Sequence, residues 1–168
     1  MKPIKLIVSA TIITLCILAG FHSCKKDKCR SVLCYNNGTC HEGTCTCGLG
    51  YEGATCQITS RNKFIGNWSA TEQLTTGEVS HQYAVTITEG SEGVNSVLIK
   101  NLLNSAALSP VHATITNNGT GLYIAAQELA GNMVYGNGTI SSGVLNLSIS
   151  VRDLSTGVTS SATYVLYQ

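Results

Sequence analysis

Two kinds of apolar pattern divide this chain. Residues 7 to 20, IVSATIITLCILAG, form one apolar run broken only by small hydroxyl residues. From residue 64 onward the pattern becomes an alternation. HQYAVTITE sets Tyr83, Val85 and Ile87 on one face, and VHATIT sets Val111, Ala113 and Ile115 against His112, Thr114 and Thr116. Leu145, Leu147, Ile149 and Val151 alternate with Asn146, Ser148, Ser150 and Arg152. Ala162, Tyr164 and Leu166 alternate with Thr163, Val165 and Tyr167. A period of two residues marks half-buried antiparallel strands. Turn-forming groups separate them: Thr76-Gly77, Glu89-Gly90, Asn117-Asn118-Gly119, Gly131-Asn132, Asn137-Gly138 and Thr156-Gly157. The pattern predicts eight strands, over about 64–74, 80–89, 94–101, 110–117, 121–128, 132–136, 138–152 and 158–167, the seventh long enough to be interrupted near Gly143. No stretch of ten or more residues keeps a helical stripe, so the expected fold class is all-β. Short connections make sequential strands neighbours in an antiparallel meander, and eight such strands close into a small barrel without exposed edges. A two-sheet β-sandwich is the alternative.

The strand Phe64-Ile65-Gly66-Asn67-Trp68 resembles the glycine-x-tryptophan start of lipocalins and related calycin barrels. The resemblance implies that Gly66 and Trp68 are structural, with Trp68 packed across the closed end. It also implies that a late-strand arginine, matched here by Arg152, covers the indole.

Cysteine use changes the picture for the residues between the apolar run and the strands. The chain has eight cysteines; Cys16 lies in the apolar run, Cys24 just after it, the other six fall between Cys29 and Cys56, and none follows. Six cysteines in so short a stretch of an exported chain form a disulfide framework, which a segment with little more than Val32, Leu33, Tyr35, Leu49 and Tyr51 for a core requires. The spacing Cys29-x4-Cys34-x5-Cys40-x4-Cys45-x1-Cys47-x8-Cys56, with CYNNGTC and CGLGYEGATC, resembles the epidermal-growth-factor-like (EGF-like) module. That resemblance implies the pairs Cys29–Cys40, Cys34–Cys45 and Cys47–Cys56. Asn37-Gly38 signals a turn, and a two-stranded ribbon is expected around Glu42-Gly43. Some members of that family bind calcium just before the first cysteine. Lys26, Asp27 and Lys28 stand there in this chain, and one carboxylate between two ammonium groups is a poor hard-cation site, so no metal is expected.

The N-terminus carries an address. Lys2 and Lys5 precede the apolar run, which is shorter than the roughly 20 residues that a membrane-spanning helix needs and has the length of a signal peptide's core. Ser23-Cys24 followed by Lys25, Lys26, Asp27 and Lys28 resembles the lipobox and processed end of lipoproteins of the Bacteroidetes group. The resemblance implies cleavage before Cys24, lipid on Cys24, and residence in the bacterial cell envelope as an outer-membrane lipoprotein. An ordinary secreted protein and a retained helical anchor are the alternatives. The expected organisation is a signal peptide over 1–23, a lipidated tether over 24–28, the EGF-like module over 29–56, a polar joint over 57–63 and the barrel-like domain over 64–168.

Charge and chemistry then narrow the function. The formal charge is +1, and losing Lys2 and Lys5 with the leader makes it slightly negative. No concentrated basic face points to nucleic acid. The strand-rich part holds Glu72, Glu78, Glu89, Glu92, Glu128 and Asp153, scattered singly, with His81 near an inward face and His112 outward. No serine stands in an elbow-like setting, and no HExxH or glycine-rich phosphate loop occurs. The expectation is therefore no catalytic residue and no cofactor. The first function class is a structural or adhesive lipoprotein with a protein or glycan partner, and the second is a lipocalin-like binder of a small apolar ligand. Membrane lipid, reached through Cys24, is the remaining partner. Mass spectrometry of the membrane-extracted protein is expected to find diacylglycerol on Cys24 at a new N-terminus. A Cys24→Ala protein still cut at the same bond and still membrane-bound would contradict this.

Overall fold

A computed structural model describes residues 26–73, 82–116 and 119–168. The expected leader and Cys24 lie outside them. Within the cysteine-rich module, β1 (Thr39–His41) and β2 (Thr44–Thr46) form an antiparallel ribbon with Cys40 opposite Cys45. Glu42 (φ 51°) and Gly43 (φ 87°) make the two-residue turn between them, both in the left-handed region that such hairpins require. Three disulfides join Cys29 to Cys40, Cys34 to Cys45 and Cys47 to Cys56, the order the resemblance implies, with Cα separations of 5.8, 5.6 and 5.3 Å. The module's apolar side chains do not make a core: Leu33 is 63% exposed and Leu49 70%. Covalent links therefore hold what burial cannot. Gly38 has no room for a side chain, because a Cβ there would lie 2.7 Å from Cys56 Sγ.

The polar joint is itself built. Strand β3 (Tyr51–Glu52) pairs with β4 (Ile58–Thr59), and a 3-10 turn (Ser60–Lys63) delivers a fully buried Phe64 to the barrel. Ser60 N–H donates to Gly50 O at 2.9 Å, and Gly50 lies so close to Val94 that a Cβ would meet its Cγ1 at 2.6 Å. Ion pairs Lys63–Glu52 (2.6 Å) and Arg61–Glu89 (2.8 Å) lie across the same junction. The second half of the module thus sits against one end of the barrel.

That barrel is built from β5 (Gly66–Gln73), β6 (Tyr83–Glu89), β7 (Ser96–Lys100), β8 (Val111–Thr116), β9 (Gly121–Leu129), β10 (Asn132–Ser141), β11 (Val144–Asp153) and β12 (Thr159–Tyr167). Each strand pairs antiparallel with the next, and β12 returns to pair with β5, so the eight strands close completely. This is a calycin-like up-and-down barrel; the sandwich alternative fails because the sheet is continuous. The alternation read from the sequence becomes the inside and outside of the wall. Val85 and Ile87, Val111 and Ile115, Leu145, Leu147 and Ile149 are all buried in one lumen cluster with Trp68 and Leu166. An eight-stranded barrel is about wide enough for side chains to fill it, and these aliphatic residues do so.

Two wall details depart from the expected strands. Asn137-Gly138 is not a turn: β10 runs through it, and the chain reverses at Ser142 (φ 50°) and Gly143 (φ 77°). The glycines of β10 serve curvature instead. A Cβ on Gly136 would stand 2.2 Å from Ser148 O, and one on Gly138 would stand 2.5 Å from Asn146 O and 2.3 Å from Leu147 Cδ2. Their bareness lets β11 press close and bend the wall. In β9 an extra residue enters between the pairs Gln127–Val134 and Ile124–Gly136, a bulge. Beyond it β9 leaves β8, and the Gln127 side chain takes over, accepting from His112 N–H and donating to His112 O, both at 2.9 Å.

At the module end, Trp68 is 2% exposed, opposite Val85, and its Nε1–H donates to Phe64 O at 2.8 Å. Gly66 is needed beside it: its φ is 143°, and a Cβ would lie 2.8 Å from Gln168 Nε2. Trp68→Ala is expected to cost about 3–5 kcal/mol, as for other buried large aromatics. Denaturant titration measures the loss, and the folded wild type should show blue-shifted indole emission. An exposed-type emission with unchanged stability would contradict the packing.

Candidate ligand site at the barrel mouth

The alternation that buries Trp68 and Ala70 on β5 carries one step further and turns Glu72 toward the lumen, at the end opposite the module. The closing register sets Tyr164 of β12 directly across from Glu72, and Tyr83 of β6 across from Ala70. Tyr164 is 5% exposed, and its hydroxyl donates to Glu72 Oε1 at 3.2 Å. The Tyr83 hydroxyl donates to Leu102 O at 2.6 Å. Leu102 belongs to the β7–β8 connection, which folds back over this end: its side chain is fully buried, and Asn101 Nδ2 donates to Ala84 O at 2.8 Å. Half-buried Leu103, Leu129, Val151 and Ala162 pack on the core around the same end. A carboxylate and two phenols therefore lie at the same end of the barrel as these partly accessible apolar residues.

The electrostatics follow from that placement. Burial, and then the charge of Glu72, push the Tyr83 phenol up from 10.0 to about 12. Burial raises Tyr164 further, with Glu72 and Tyr83 adding to it. Both factors penalise a phenolate in a poorly hydrated, negative site.

A second depression, of about 320 Å³, lies on the outer wall where β9 leaves β8. It is lined by His112, Glu92, Tyr123 and Gln127 among others, with His112 Nδ1 3.8 Å from Glu92 Oε1. Among the described residues no cluster of three or more His, Cys, Asp or Glu side chains could hold a metal.

The residues singled out in the sequence fall into separate groups. Gly66 and Trp68 come together at the module end. Arg152 does not join them: it is exposed on the outer face, opposite Met133 and Thr159 near the other end of the barrel. Glu89 is taken by Arg61, and Glu128 is exposed. Asp153 organises the β11–β12 turn, its Oδ1 accepting from Ser155 N–H (2.7 Å), Ser155 Oγ–H (2.6 Å) and Thr156 N–H (2.9 Å). Those bonds, the Ser155 hydroxyl first, bring its pKa down to about 2. Glu78 and His81 lie outside the described residues. Sequence reasoning took Glu72 as a lone charge, yet its parity with Trp68 and Ala70 was a readable sign of inward placement.

Residues 31–59 match the family model of the Teneurin-like EGF domain, so the similarity covers the module and not the barrel. No curated protein matches the chain.

The raised phenols give the fold an alkaline limit. The unfolded chain releases these protons near pH 10, and the folded chain holds that of Tyr83 until about pH 12. Their contribution to stability is complete below pH 10 and is lost as pH rises through the folded value. Denaturation midpoints measured from pH 8 to pH 12 should fall across that window, less steeply in a Tyr83→Phe, Tyr164→Phe double variant. An equal fall in the double variant would place the sensitivity elsewhere.

Proposed function

We propose that the barrel binds a small, largely apolar molecule at this mouth, on a lipoprotein held to the bacterial envelope through Cys24. One observation carries the binding half: Tyr164 donates to Glu72 at the lumen end opposite the module, and half-buried Leu103, Leu129, Val151 and Ala162 pack on the core from elements that reach the same end. Apolar walls with a few convergent polar groups are what small-molecule sites share. The lumen below is filled, so the ligand seats shallowly and not in a deep chamber. This reading ranks small-molecule binding above the structural or adhesive role expected from sequence. The anchoring half is supported by the apolar leader and Ser23-Cys24 alone. Binding without chemistry is the reading for the mouth, since Tyr164 and Tyr83 hold their protons well beyond neutral pH, the first donating to Glu72 and the second to the Leu102 carbonyl.

Titration of the full chain with short alkyl alcohols, amines and carboxylates, followed by nuclear magnetic resonance, tests the site. Saturable binding is expected, with shifts gathered at Tyr83, Val151 and Ala162. Val151→Trp, which fills the rim, is expected to weaken binding about tenfold or more, a difference of about 1.4 kcal/mol. Shifts confined to the outer wall, or no saturation by any probe, would overturn the proposal.

A further inference from the structure

The depression on the outer wall has a cause in the strand pairing. β8 and β9 pair only through Thr116–Gly121, Ile115–Leu122 and Thr114–Tyr123. Past that point a gap opens in the wall, and the planar amide of Gln127 spans it. That amide bonds both backbone groups of His112 and also donates to Ala125 O at 3.3 Å. It replaces the missing rung of the ladder, so the gap stays open without leaving those backbone groups unpaired. Outward side chains directly opposed on a paired wall stand about 4.5–5.5 Å apart and cover the backbone between them. Here the strands part, and Glu92 of the β6–β7 connection, His112, Thr114, Tyr123, Ala125 and Gln127 border a recess of about 320 Å³. We propose that this recess is a glycan-binding site. It seats one uncharged pyranose residue, with a ring face on Tyr123 and hydroxyls on Glu92, His112 and Thr114.

The chemistry of the lining selects that class of ligand. Tyr123 is 54% exposed, and Ala125 beside it on β9 carries only a methyl group. A pyranose has apolar C–H faces and a rim of hydroxyls, and a tyrosine offers an apolar ring with a polar tip. Each sugar hydroxyl both donates and accepts, and the recess supplies both partners. A carboxylate accepts, a histidine ring offers at least one N–H, and threonine and tyrosine hydroxyls do either. His112 Nδ1 and Glu92 Oε1 stand 3.8 Å apart, beyond hydrogen-bond length, with side chains 50% and 70% exposed. Both therefore keep capacity for a third group. No lysine or arginine is among the described residues that border the recess, so an anionic ligand meets only the like charge of Glu92 and the one imidazole. A bare ammonium gains little from a single carboxylate this exposed. A purely apolar ligand covers the polar groups without replacing their water, which costs free energy. The volume lies at the low end of ligand pockets, which run about 300–1,000 Å³, and suits a single ring.

Nuclear magnetic resonance titration of the full chain tests the site, using the methyl glycosides of glucose, galactose, mannose and N-acetylglucosamine, with glucuronate as the anionic probe. At least one neutral glycoside is expected to bind saturably, in the millimolar range of a single sugar. Its shifts should gather at His112, Thr114 and Tyr123 while Tyr83, Val151 and Ala162 stay still. Tyr123→Ala is expected to weaken that binding about tenfold, the scale of one aromatic contact. Tyr123→Phe, which keeps the ring, should retain most of it. Tyr123 lies on the outer wall, so neither substitution disturbs the core. No saturable binding of any neutral glycoside, shifts gathered elsewhere, or tightest binding of glucuronate overturns the inference. So does undiminished binding in Tyr123→Ala, or a loss in Tyr123→Phe as large as that in Tyr123→Ala. The mouth reading stands or falls separately, because its alkyl probes report on Tyr83, Val151 and Ala162.

Discussion

Tyr167 opposite Ser69, Leu166 opposite Ala70 and Tyr164 opposite Glu72 are the rungs on which the barrel closes. Remove them and two strand edges are exposed, with every unpaired N–H and C=O along β5 and β12 open to other chains. The same rungs fix the interior. A slip of one residue would turn Leu166 and Tyr164 outward and Val165 inward. Thr71 Oγ–H donates to Val165 O across a separation of 94 residues, so the seam joins chain ends that meet only when the intervening strands are in place. Contacts of that range carry a large loop-closure cost and make closure a late and cooperative event. The mouth cluster depends on it directly, since Glu72 and Tyr164 lie on the two sides of the seam.

The module in front of the barrel meets the opposite constraint. It has exposed Leu33 and Leu49 where a domain would have a core, and it keeps its shape by three cross-links. What it does possess is a packed end. Gly50 against Val94, Ser60 N–H on Gly50 O, and the pairs Lys63–Glu52 and Arg61–Glu89 tie that end to the barrel. The ion pairs are partly exposed and contribute little each; the close backbone approach at Gly50 fixes the orientation more firmly.

Local patterns were legible in the sequence wherever one residue type has one physical consequence. Alternation gave the wall its two faces, as at Val111, Ala113 and Ile115, and the cysteine spacing carried the module. Features that depend on a neighbouring strand were not legible. Asn137-Gly138 has the residues of a tight turn, but Gly138 is bare because Asn146 and Leu147 of β11 crowd it. The bulge in β9 cannot be read from Gly121–Leu129 alone, since it is a register shift against β10, next to the point where pairing with β8 ends. Arg152 was assigned by likeness to a family position, and register carried it to the wrong end: β11 runs away from Trp68 as it approaches residue 152. Glu72 is the instructive case. Its inward parity could be read, but a charge on an apolar face means little until the seam supplies Tyr164.

The orientation of the parts links the cluster to the proposed anchor. β5 starts at the module, beside Phe64 and Trp68, and Glu72 lies near its far end. The β7–β8 connection that carries Leu102 belongs to that far end as well. The chain passes from Cys24 through the cross-linked module before it enters the barrel, and the module's contacts occupy the near end. With lipid on Cys24, the module would stand between membrane and barrel, and the mouth would face away from the bilayer. The proposed site for a small apolar molecule would gain from this arrangement, because its apolar rim would be held away from lipid that competes for the same surface. The few apolar residues of the module make a poor core, yet a spacer needs stiffness more than a core. Three cross-links supply stiffness of that kind and, with lipid on Cys24, would hold the mouth away from the bilayer.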